Sequence, residues 1–146
     1  MLIVERDLTE AEYQQMIDGF VQHAAEHGNP KDTSERLGFV AMDGDWFIGC
    51  ASGLAYPKVE GYGDWFQLTD LFVDKEHRGR GVGKDLLLRL EERVRGLGIG
   101  HVWTWTAGFE GPGFYESLGY EVFLEMGNWY TTGDARVGMF KELNRG

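Results

Sequence analysis

The segment "RGRGVGK", Arg78 to Lys84, sets glycine at every second position among cations, in a chain whose net charge is −10. Such a pattern suits the binding of a phosphate-bearing ligand. Missing side chains at Gly79, Gly81 and Gly83 let oxyanions reach the backbone, while Arg78, Arg80 and Lys84 bring positive charge. A helix starting here adds N–H groups without intrahelical partners and the positive end of its dipole. Neither common nucleotide loop fits the spacing. In a Walker A loop, serine or threonine follows the lysine, but here Asp85 does, and Arg78 stands where the leading glycine belongs. The G-x-G-x-x-G spacing fails at Lys84. A second chemical pattern, "HAAEH" at His23 to His27, matches the H-x-x-E-H of some zinc proteases. It falls in the last turn before Gly28-Asn29-Pro30, where histidines suit the helix dipole, and no third ligand is near in sequence. No metal is expected. His77 and His101 carry no assignment.

Elements that would position these residues can be read from periodicity. Leu2 to Glu5 has the character of a short first strand. Thr9 and Glu12 form a T-x-x-E capping box, and Tyr13, Met16, Ile17, Phe20, Val21 and Ala24 follow at helical spacing, predicting one buried face. "HGNPKDTSE" is a loop. Two apolar runs about Asp43-Gly44-Asp45 indicate a hairpin, and a further strand runs from about Asp64 to Val73. Next comes the glycine-rich turn, then a helix with Val82, Leu86, Leu90, Val94 and Leu97 on one stripe. "HVWTWT" is a strand, with Trp103 and Trp105 read as core packing. "GPGFYESLGY" is a short helix closed by Gly119, with Phe114 as the core residue of its Phe-Tyr pair, and "YEVFLEM" and "RVGMFKEL" are the closing strands. The order is that of one mixed α/β domain spanning 1–146.

Composition limits the partners. The balance of 24 acidic against 14 basic side chains argues against a general nucleic-acid binder, since phosphate affinity needs clustered cations. No apolar run approaches about 18 residues, and "MLIVERDLTE" lacks a basic flank, so neither a membrane span nor a signal peptide is expected. The lone Cys50 reads as a reduced thiol in a core strand of a cytoplasmic protein.

The spacing that does fit the loop is R-x-x-G-x-G, Arg78 to Gly83. "DLFVDKEHRGRGVGKDLL" resembles the central motif of the GNAT superfamily of N-acetyltransferases, and "PGFYESLGYEVF" resembles its next segment. The likeness covers most of the chain, most specifically Asp70 to Phe123. It implies a central mixed, mostly antiparallel sheet of six or seven strands flanked by helices. Two neighbouring strands, those of Leu71 and Trp103, would splay to hold acetyl-CoA.

By this resemblance, Leu71, Phe72 and Val73 offer backbone groups to the pantetheine arm. Arg78, Gly79, Arg80, Gly81, Val82, Gly83 and Lys84 hold the pyrophosphate. Tyr115 matches the family's tyrosine acid, since a phenol with reference pKa near 10 is protonated at neutral pH. For the base, Asp70 and Glu110 are the two candidates, and Asp70, Glu110, Trp129 and Tyr130 are expected to contact the acceptor. Many members carry asparagine seven residues before the tyrosine; here Gly108 stands there. The implied activity is direct acetyl transfer to the primary amine of a small molecule, without metal, nucleic acid or membrane, and a homodimer is compatible with it. A non-catalytic acyl-CoA sensor and a protein or peptide N-acetyltransferase stay open as alternatives.

Overall fold

The computed structural model describes residues 1–29 and 33–143. The chain divides into two compact units, Met1–Thr33 and Ser34–Gly146. In the first, α1 (Glu10–Glu26) opens on the expected capping box. Glu12 N–H donates to Thr9 Oγ1 at 3.2 Å, and Thr9 N–H donates to Glu12 Oε1 at 2.8 Å. Arg6 grips the same carboxylate with two donors, at 2.7 and 3.0 Å, and holds the Glu12 carboxyl down at about 2. Two expectations fail in this unit. Leu2 to Glu5 forms no strand, having no ladder partner among the described residues. The helix also buries none of its residues, because a unit built on a single helix offers its apolar stripe nothing to pack on. Residues 30–32 of the following polar loop lie outside the described residues.

In the second unit, β1 (Glu35–Asp43) and β2 (Trp46–Ala55) form the expected hairpin, turned by Gly44 at φ 59°. After β3 (Trp65–Val73) and a 3₁₀ turn at Lys75–His77 comes α2 (Val82–Gly96). Then follow β4 (His101–Ala107), the short α3 (Pro112–Ser117), β5 (Glu121–Met126) and β6 (Arg136–Glu142). Six strands share one sheet in the order β1-β2-β3-β4-β6-β5. Every pairing is antiparallel except β3 with β4. The mixed, mostly antiparallel sheet implied by the resemblance is thus present. Among the described residues, no helix is long and apolar enough to cross a membrane.

Leu86, Leu87, Leu90 and Val94 of α2 are buried in one core with Phe66, Leu68, Val102 and Met139 from the strands, each worth about 2 kcal/mol. β2 turns small residues inward because larger ones do not fit: a Cβ on Gly53 would lie 2.1 Å from the Gln67 carbonyl oxygen. One charge shares this core. Glu91 is 2% exposed, accepts from Tyr120 Oη at 2.9 Å and pairs with Lys141 Nζ at 2.7 Å. Trp103 and Trp105 are not core residues. Their side of the β4 pleat carries an apolar groove of about 530 Å³ with Trp65, Phe123 and Phe140, opposite in alternation to buried Val102 and Thr104. Nor is Phe114 the deeper member of its pair, for it is half-buried while Tyr115 is 7% exposed.

Candidate active site

The parallel ladder between β3 and β4 is only three pairs long: Trp65 with His101, Phe66 with Val102, Gln67 with Trp103. Beyond Gln67 the two strands part. Thr104 Oγ1 bridges the fork by donating to the Leu68 carbonyl at 2.9 Å. On its other edge β3 stays with β2, but Ser52 pairs with Asp70 and Gly53 with Leu68, which leaves Thr69 as an extra, bulged residue. Bulges bend a strand and re-aim side chains, and this one falls where β3 leaves β4. From Leu68 to Val73, the β3 edge facing β4 therefore has no strand partner.

Two joined cavities occupy the opening. One, of about 440 Å³, is walled by residues 67–72 and 104–107 and closed by Glu110, Tyr115, Tyr130 and Arg136. The other, of about 560 Å³, runs from Leu71, Phe72 and Val73 past Arg78 and Gly83 to Phe114. Leu71, Phe72 and Glu110 line both, so a single cleft passes from the glycine-rich loop to the fork.

At the loop end the backbone is bare. Gly79 and Gly81 sit at φ 78° and 81°, where only glycine is unstrained, and a Cβ on either would meet nothing within 4 Å. Gly81 is the N-cap of α2 and no side chain caps that helix, so its first N–H groups have no intrahelical or capping partner. Gly83 is packed rather than free, its position facing Val73 at 3.4 Å and Phe114 at 3.7 Å. Arg78 Nε donates to the Val73 carbonyl at 3.0 Å, tying the loop to the end of β3. Arg80 and Lys84 are exposed.

Tyr115 closes the fork end. Burial pushes its phenol up to about 12; the Thr104 hydroxyl, its hydrogen-bond neighbour, works the other way, and the Glu110 carboxylate adds to the rise. Its ring packs edge-on against Phe114 and Tyr120, both at 5.3 Å between centroids. Through Tyr120 it rests on the buried Glu91–Lys141 pair. Asp70 borders the cleft and has donors around it. Thr69 Oγ1 donates to Asp70 Oδ2 at 2.7 Å, and Arg36 Nη1, 3.5 Å from that oxygen, also donates to Thr69 Oγ1 at 3.0 Å.

Among the expected acceptor contacts, Glu110 and Tyr130 line the cavity. Trp129 does not line it, but its ring lies 5.2 Å from the guanidinium of Arg136, which does. Sequence reasoning missed Arg36, Thr104 and Arg136. Thr104 and Arg136 lie on strands whose adjacency follows from β6 entering beside β4, a pairing no local pattern encodes. Gly108 is explained by crowding: its N–H donates to the Ala135 carbonyl at 2.8 Å, and a Cβ there would meet the same oxygen at 3.3 Å.

Residues 34–122 match the family model described as an acetyltransferase (GNAT) domain. A blasticidin-S acetyltransferase of Streptomyces morookaense is 39% identical over 82 residues, which make up 54% of this chain and 58% of that relative's length. A crystal structure of an acetyltransferase from Bacillus cereus superposes with TM-score 0.80 at 19% identity, over 97% of this chain and 98% of the other. Aminoglycoside 6'-acetyltransferase type Ii superposes with TM-score 0.63 at 25% identity, over 90% and 82%.

Proposed function

The chain belongs to the GNAT acetyltransferase family, and from that premise we propose that residues 1–146 act as one domain catalysing acetyl-CoA-dependent N-acetylation of a small-molecule primary amine. The observation that carries this reading is the cleft itself. A bare glycine loop at a helix start lies at one end, an unpaired strand edge runs along it, and a buried protonated phenol stands at the other end.

Acetyl-CoA, when bound, supplies the acetyl group as an activated thioester. The residues present fit it. Backbone N–H groups of 79–84 would hold its pyrophosphate, with Arg78, Arg80 and Lys84 nearby, and Leu71, Phe72 and Val73 would offer the free edge of β3 to its amide-bearing arm. Tyr115 Oη holds the proton that the departing thiolate requires, and its raised pKa keeps that proton in place throughout the neutral range. Asp70 and Glu110, which line the same cavity, attract an ammonium group and take up its proton directly or through water. Tyr130 and the volume of about 440 Å³ favour a small acceptor over a polypeptide segment. The curated and structural relatives named for antibiotic acetylation are consistent with this class of acceptor.

The test is a turnover screen of acetyl-CoA against a panel of primary amines, read by release of free thiol. Amine-dependent thiol release with one-to-one formation of the N-acetyl product is expected. Tight acetyl-CoA binding with no release on any amine would instead mark a sensor, and release only with peptides would move the acceptor to protein.

A further inference from the structure

At the open end of the fork, Arg136 begins β6, opposite Ala107 of β4 and Met126 of β5. Its guanidinium carbon is 4.9 Å from the ring centroid of Trp105 and 5.2 Å from that of Trp129, while the residue lines the 440 Å³ cavity. Both aromatic contacts are attractive for a cation, and indole is the strongest partner. Among the described residues Arg136 forms no ion pair. Nor does any of its side-chain N–H donors make a hydrogen bond among the described residues, so a planar fork of donors beside two indoles is left without an acceptor. A half-buried cation with unused donors calls for an oxyanion, and a planar fork matches a carboxylate in bidentate fashion. The remaining charges on the cavity wall are Asp70 and Glu110, which suit the opposite pole of a ligand.

We infer that the acceptor carries a carboxylate as well as its reactive amine, and that Arg136, set against Trp105 and Trp129, is the specificity-determining residue that binds it. The inference rests on the acetyltransferase reading above. It selects amino-acid-like acceptors from the amines that reading permits.

Two matched series test it: linear ω-amino carboxylates from two to six carbons, and the corresponding ω-amino carboxamides, which keep shape and amine but lose the charge. For at least one chain length, kcat/KM for the carboxylate should exceed that of its carboxamide tenfold or more, the scale of a charge-assisted hydrogen bond. In Arg136→Gln this ratio should collapse to about one. Arg136→Lys, which keeps charge and stem but loses the fork, should give an intermediate ratio and guards against a misfolded glutamine variant. Calorimetry of the N-acetylated carboxylate product with the protein alone should show binding that Arg136→Gln weakens by the same factor. Equal kcat/KM within every matched pair, or a ratio unchanged by Arg136→Gln, overturns the inference while leaving the acetyltransferase reading intact. If no member of either series, nor any other amine, releases thiol, both fall together.

Discussion

Tyr115 keeps its proton because ionising a phenol that is 7% exposed would strand charge in the core, next to the Glu110 carboxylate. Tyr115→Phe removes only the hydroxyl, so the rings at 5.3 Å stay packed. Its kcat should fall about 10²- to 10⁴-fold with acetyl-CoA affinity little changed, as single-turnover and equilibrium binding would show. The same raised pKa governs stability at high pH. Unfolded tyrosine ionises near 10 and native Tyr115 near 12, so this contribution is complete below about pH 10 and is lost as pH climbs from 10 toward 12. Denaturant melts between pH 8 and 11.5 should show that decline, shallower in Tyr115→Phe by about 2 kcal/mol at its far end. Tyr120, raised by burial and by Glu91, supplies the slope that persists. In the proposed reaction Asp70 acts on the amine. In Asp70→Asn, kcat/KM for the amine should drop at least tenfold while acetyl-CoA binding holds, and normal amine kinetics would pass the role of base to Glu110.

The start of α2 depends on Gly81, whose φ of 81° a β-branched residue tolerates poorly. Gly81→Val should abolish CoA binding by calorimetry, whereas Gly81→Asn, which accepts left-handed backbone more readily, should keep part of it. Further along α2, Glu91 shows how a helix can carry a charge into a core. Lys141→Met would leave that carboxylate buried with only Tyr120 donating, costing about 3 kcal/mol in chemical denaturation. Replacing Glu91 with leucine as well should recover most of the loss. Elements of this kind were partly legible beforehand. The stripe of Leu86, Leu90 and Val94, the Asp43–Asp45 turn and the glycine loop all follow from local spacing. Burial of Glu91 did not, because its partners Tyr120 and Lys141 are 29 and 50 residues away. Arg136 stayed hidden for the same reason, since its contacts with Trp105 and Trp129 join β4, β6 and the loop before β6. Leu2 to Glu5 misled in the other direction, for an apolar run becomes a strand only where an edge accepts it.

At the scale of the molecule, the sheet consists of two antiparallel leaves. β1, β2 and β3 carry α2, while β4, β6 and β5 carry α3. The proposed cofactor site takes the loop from the first leaf and Tyr115 from the second, so a ligand filling the cleft holds both. CoA at a hundred times its Kd should therefore raise unfolding free energy by about 2.7 kcal/mol. Its protection against hydrogen exchange should be concentrated at residues 68–73 and 104–107; protection limited to the glycine loop would show that the arm does not enter the fork. The leaves meet through three ladder pairs at one end, and that has a mechanical meaning. A weld at the end of a seam is a pivot: tension across the sheet spreads the far lips before it tears the joint. Because Thr104 fastens the inner end of the slit to Leu68, strain from a bulky occupant would reach that stitch first. The compliance of the protein toward acceptors of different width is then set by one hydroxyl, three backbone rungs and the Glu91 bonds by which α2 also holds Tyr120 and Lys141.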